Sequence, residues 1–128
     1  MNAVFITSLY AAILAIMMIA LSSHVSAKRA ATNVSILDGG DPDLVIRMRR
    51  HGNFVENVPM ALILMALAEL DGVSHIWIHA AGILLIAGRA LHALGLQADK
   101  ATPMRLAGGI SSTLAILLMV GNILYIAL

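Results

Sequence analysis

The chain has 128 residues, 60% hydrophobic and 12% charged, with a mean hydropathy of +0.92 and a net charge of +1. That length fits one domain, and that composition excludes an ordinary soluble one. The absence of cysteine excludes disulfides, thiolate metal sites and a protein-borne thiol nucleophile, so any sulfur chemistry must take its thiol from a small molecule.

Four apolar segments account for the composition, and each can supply the ~20 residues that cross a bilayer core. They predict helices over 3–23, 41–70, 76–96 and 103–127, and hence an all-α integral membrane four-helix bundle forming a single domain over 1–128. In helix 1 the basic residues follow the apolar run instead of preceding it. Val25-Ser26-Ala27 is similar to a signal cleavage site, but this charge order predicts a retained anchor. The helix is expected to end near Ser22-Ser23-His24, with Lys28 and Arg29 at the headgroups. A non-periodic connection over 30–40 follows, closed by the turn signal Asp38-Gly39-Gly40.

Asp41-Pro42-Asp43 reads as N-cap, first helical residue and an acid beside the positive helix end. Helix 2 then passes Arg47, Arg49 and Arg50 before its apolar part. The i, i+4 and i+3 steps from Arg49 to Asn53 to Glu56 put a cation, an amide and a carboxylate on one face, while His51 lies off that stripe. A charge costs ~2.5–3.5 kcal/mol at the centre of an inserted helix, so such a stripe faces a bundle interior or a wet cavity. The lesser alternative is a buried Arg–Glu or Asn–Glu network that fixes helix register. Pro59 removes one backbone donor and can bend the helix near Val55.

The second connection, from Glu69 to His75, carries acids and no Lys or Arg. Helix 3 opens with Trp77 and His79 at interface depth, carries Gly82, Gly88 and Gly95 for close packing, and ends with Arg89 and His92 on one face. In the third connection, 98–103, Thr102 and Pro103 fit an N-cap and first turn, and Arg105 follows. Gly108, Gly109, Ser111, Ser112 and Thr113 are packing material, and Asn122 is expected to bond across helices. All eight basic residues flank the first and third connections, which by the positive-inside rule are cytoplasmic, with both termini outside.

The polar groups gathered at that end are Arg29, Arg49, His51, Asn53, Glu56, Arg89, His92 and Arg105. Positive charge is in excess there, in a partly dehydrated space, and the fitting guest is an amphiphilic anion. Its carboxylates would pair with arginine forks, and Glu56 and Asn53 could hold an ammonium or amide. If the guest carries a thiol, a guanidinium favours the thiolate, the nucleophilic form. Lowering a thiol from ~8.5 by about two units takes roughly 2.7 kcal/mol. Arg105 is the residue placed for this catalytic role, although a headgroup anchor has the same sequence signature. Neither a metal site nor a nucleic-acid motif is expected.

The spacing Arg49-x-x-x-Asn53-x-x-Glu56-x-x-Pro59, preceded by Asp38-Gly39-Gly40-Asp41-Pro42 and joined by Gly88-Arg89-x-x-His92 and Arg105, resembles the MAPEG family (membrane-associated proteins in eicosanoid and glutathione metabolism), in particular its bacterial branch. The resemblance implies a homotrimer in the bacterial inner membrane, with glutathione as co-substrate bound between subunits near the cytoplasmic face. It also implies transferase or peroxidase activity toward hydrophobic electrophiles or lipid hydroperoxides. On this resemblance Arg49, Asn53 and Glu56 bind glutathione, His51 adds a polar contact, Arg29 is the basic residue ending helix 1, and Arg105 activates the thiol. The sequence departs from the family at His92 and Leu96, where eicosanoid-pathway members tend to have tyrosines, which argues against a specialised eicosanoid synthase. Two other functions stay open: a weakly catalytic binding or scaffold protein of the same fold, and a small four-span multidrug transporter. Against the transporter, Glu56 beside arginines is expected to stay ionised and paired.

Overall fold

The computed structural model describes residues 3–97 and 99–128; Met1, Asn2 and Ala98 of the expected third connection lie outside them. Four helices follow in order: α1 Phe5–Thr32, α2 Pro42–Leu70, α3 His75–Gly95 and α4 Pro103–Ala127. All four are long and apolar enough to cross a membrane. Successive helices run antiparallel, so the first and third connections share one end of the bundle, the basic end.

Helix α1 does not end at Ser23, as the sequence reading expected, but continues for nine residues through Lys28 and Arg29. Ala27, Ala30 and Ala31 sustain it, because serine and histidine do not by themselves stop a helix. The stop is Asn33 at φ 56°, a left-handed cap whose position is followed by a bond from Val34 N–H to the Arg29 carbonyl at 3.2 Å. At 1.5 Å per residue, α1 and α2 are each about 42–44 Å long, against ~30 Å of hydrocarbon, so their basic ends project beyond the apolar layer. Helix α2 runs unbroken through Pro59.

The start of α1 has no side-chain cap of its own. Glu69, in the last turn of α2, supplies one: its two carboxylate oxygens accept the N–H groups of Ile6 and Thr7, each at 2.8 Å. An anion thus sits at a positive helix end and ties two helices together at the end opposite the arginines.

The core joins Leu14 of α1, Phe54, Val58 and Met65 of α2, Ile78 and Leu85 of α3, and Ala115 and Met119 of α4. The closest helix pair is α3 with α4. A Cβ on Gly88 would stand 2.6 Å from Ser112 Oγ and 2.8 Å from the Gly108 carbonyl oxygen, and one on Gly108 would strike the backbone of His92. Glycine is therefore required at both positions for the backbones to approach this closely. Ser111 adds a bond across the pair to the Leu84 carbonyl at 2.7 Å. Asn122 does not bond across helices as expected; its amide donates to the Leu118 carbonyl of its own helix at 2.8 Å.

Candidate functional site

At the basic end, charged side chains fasten the first connection onto the start of α2. Lys28 reaches both Asp41 and Asp43 at 3.2 Å, and Arg47 binds Asp43 at 3.1 Å and the His24 carbonyl at 3.0 Å. Asp41 caps α2 by accepting from the N–H groups of Asp43 at 2.9 Å and Leu44 at 3.2 Å. The Leu44 N–H, helped by the Lys28 ammonium, holds the Asp41 carboxyl below the usual carboxylate range. Arg29 donates to the carbonyls of Leu37 at 2.7 Å and Val34 at 3.4 Å. The connection is thereby pinned over the bundle.

The third connection is fixed by a different device. Thr102 caps α4, accepting from Arg105 N–H at 3.1 Å while its hydroxyl donates to the Gly95 carbonyl at 2.5 Å. Arg50 crosses from α2 to the Leu96 carbonyl at 3.1 Å. The backbone that carries Arg105 is held from both sides.

Between these two fastened connections lies a cavity of about 440 Å³, within the ~300–1,000 Å³ typical of small-molecule sites. Asp38, Gly40, Pro42, Val45, Ile46, Arg49 and Asn53 line it from the first connection and α2; His92, Leu96 and Gln97 line it from α3 and its end, and Arg105 from α4. Behind this wall Arg89 is buried to 3% exposure. Its guanidinium donates to Asn53 Oδ1 at 2.6 Å, to Ser112 Oγ at 2.8 Å and to the Gly108 carbonyl at 3.4 Å. A guanidinium only donates, so Arg89 fixes the Asn53 oxygen toward itself and leaves the amide N–H groups for a guest. The buried cation acts on the cavity through Asn53.

The structure brings Arg49, Asn53, His92 and Arg105 together in one wall. Arg89 stands behind them, and Arg29 is committed to the carbonyls of the first connection. His51 is half-buried on α2 and is not among the lining residues. Glu56 also lies outside the cavity. Its carboxylate sits 3.4 Å from Arg49 Nη1, with 56% of the side chain exposed, so the predicted stripe divides: Asn53 faces the cavity and Glu56 the bundle's outer surface. An ion pair this exposed contributes little, roughly 1 kcal/mol or less, and leaves Arg49 free to take another carboxylate.

Of the lining residues that the sequence did not single out as site residues, Val45 and Ile46 stand one turn before Arg49 and share its face, a relation that helical spacing alone could have revealed. Asp38 and Gly40 were legible only as a turn. Gln97 gave no signal.

A second, apolar groove of about 480 Å³ starts from the same wall. His92 and Arg105 form its head, and Ala101, Leu106, Gly109, Ile110, Thr113 and Leu114 continue it along the outward side of α4. Leu106, Ile110 and Leu114 are about half exposed or more. Polar cavity and apolar groove thus meet at Arg105 and His92.

The sequence model of the MAPEG family matches residues 7–125, all four helices. The chain belongs to the MAPEG family. Its curated relatives include the inner membrane protein YecN of Escherichia coli strain K12, 35% identical over 115 residues that cover 90% of this chain and 87% of that protein. The YecN of E. coli O6:H1 strain CFT073 matches to the same extent. No solved structure matches the chain. This MAPEG chain is therefore a bacterial-type, four-helix membrane protein, similar over most of its length to a protein of the inner membrane.

Proposed function

We propose that this MAPEG protein is a glutathione-dependent transferase or peroxidase for hydrophobic electrophiles or lipid hydroperoxides. The observation that carries this reading is the shared wall: Arg105 and His92 line both a polar cavity and an apolar groove, so a water-soluble anion and a lipophilic molecule can meet at one guanidinium. The cavity's charged groups are two arginines and one carboxylate, a net single positive charge that complements a tripeptide of two carboxylates and one ammonium. Arg49 and the Asn53 amide take its carboxylate and carbonyl oxygens. Arg105 favours the thiolate over the thiol, and the tight approach of α3 to α4 holds its backbone in place.

In conjugation the thiolate sulfur attacks the electrophilic carbon and the displaced group leaves with the electron pair. In peroxide reduction the sulfur attacks the distal peroxide oxygen, the O–O bond breaks, the alcohol leaves with a proton, and a second thiol completes the disulfide and water. His92 stands where a proton can be exchanged with either guest. The positive-inside rule turns the basic end toward the cytoplasm, where glutathione is supplied. The exposed Arg49–Glu56 face is the side on which a neighbouring subunit of a homotrimer would close the site.

Calorimetric titration of the detergent-solubilised protein with glutathione, paired with turnover of a lipophilic electrophile, tests the proposal. Saturable binding and turnover are expected, with Arg49→Ala weakening affinity about ten- to hundredfold, the measure of a lost charge-assisted contact. Arg105→Ala is expected to abolish turnover while binding persists. Binding without turnover in the wild type would favour a scaffold role, and no saturable binding would end the glutathione reading.

A further inference from the structure

The acid that the sequence places beside the arginines, Glu56, lies outside the cavity, and a different carboxylate lies inside it. Asp38 is the only acid among the lining residues. The two acids that follow it, Asp41 and Asp43, are both taken by Lys28, and Asp43 also by Arg47. Asp38 has no ion-pair partner among the described residues. Its Oδ1 accepts the Gly40 N–H at 2.9 Å, and its carbonyl accepts the Asp41 N–H at 2.9 Å. Arg29 grips the carbonyl of the residue just before it. The side chain is therefore held by its own turn, with Oδ2 uncommitted, in the lining of a cavity whose other charged groups are Arg49 and Arg105.

We infer that Asp38 is the receptor for a ligand's ammonium group and makes the site selective for peptides with a free α-amino group. A cavity holding only arginines would accept any small dianion. One carboxylate lining the same cavity as two guanidinium groups rewards a zwitterion instead, because acylating the amine removes the positive charge and leaves Asp38 covered by the ligand without a partner. This inference rests on the glutathione reading and names the group within that ligand which the site reads.

The test compares binding of glutathione with binding of N-acetyl-glutathione, which keeps both carboxylates and the thiol. The wild type is expected to prefer glutathione by roughly 5- to 20-fold, the size of a partly exposed charge-assisted contact. Asp38→Asn keeps an oxygen for the Gly40 N–H and is expected to bind the two peptides within about twofold of each other, by losing affinity for glutathione alone. Asp38→Ser, whose hydroxyl can also accept from Gly40, is expected to do the same, and Asp38→Glu to restore the preference. If the wild type binds glutathione and the variants keep its preference over the acetylated peptide, the assignment of Asp38 is overturned while the glutathione reading stands. If the wild type binds neither peptide, both fall.

Discussion

Replacing Gly108 by alanine puts a methyl group where α3 and α4 touch through bare backbone. Two effects oppose each other. Alanine is the better helix former by about 0.8–1.0 kcal/mol, which favours the variant. The added Cβ, however, meets the backbone N and Cα of His92 and the carbonyl of Gly88, atoms that cannot turn aside as a flexible side chain would. Overpacking costs about 1–3 kcal/mol, and a clash with backbone belongs at the upper end. The net expectation is destabilisation of about 2 kcal/mol. Gly121→Ala is the matched control: it lies on the same helix and its Cβ would meet nothing within 4 Å, so only the propensity gain remains. Thermal unfolding of the two variants in one detergent should therefore differ by about 3 kcal/mol, with Gly121→Ala at or above the wild type. Gly108→Ala should also weaken glutathione binding, because the backbone it displaces carries His92. A Gly108→Ala protein as stable as Gly121→Ala would refute the claim that this close approach builds the site.

Further predictions concern the fastenings around the bundle. Glu69→Leu removes both acceptors from the start of α1 and should cost about 1–2 kcal/mol, the range of a helix cap with a favourable charge; hydrogen exchange at Ile6 and Thr7 should accelerate, and unchanged exchange would count against the cap. Asp41 has a folded pKa below its unfolded value of ~3.9, so the stability it adds is fully present above that value and is lost as pH falls through the depressed one. Asp41→Asn should then flatten the acid limb of a stability–pH profile, and an identical limb in both proteins would contradict the assignment. Thr102→Val removes the α4 cap and the bond to Gly95, and should cost about 1 kcal/mol in unfolding measurements while loosening Arg105 enough to slow turnover with glutathione binding retained.

The residues show where the sequence was sufficient. Asp41 and Thr102 were read as N-caps with proline after each, and both cap as expected, because that signal is local and chemical. The basic and acidic connections were equally plain. Helix α1 ran on past Ser23 because its terminator is the left-handed backbone of Asn33, a conformation that polarity does not announce. The stripe from Arg49 to Glu56 is real as a helix face, since the two bond across two turns. Which part of that face borders the cavity was not legible, because the neighbours that cover Asn53, namely Arg89 and the end of α3, come from distant sequence. For the same reason Arg89, read as one of the polar groups that meet the guest, proved to be the buried support behind Asn53. Asp38 looked like nothing more than a turn residue until Arg29 and the turn itself were seen to hold it against the cavity.

The proposed function places the sulfur of a thiol peptide beside Arg105 in the cavity. Its most direct test is the pH titration of thiolate absorbance for glutathione bound to the solubilised protein, in the wild type and in Arg105→Ala. The bound thiol is expected to titrate about two pH units below the ~8.5 of a free thiol, and the shift to disappear in the variant. A bound thiol that titrates at or above the free value in the wild type would contradict it.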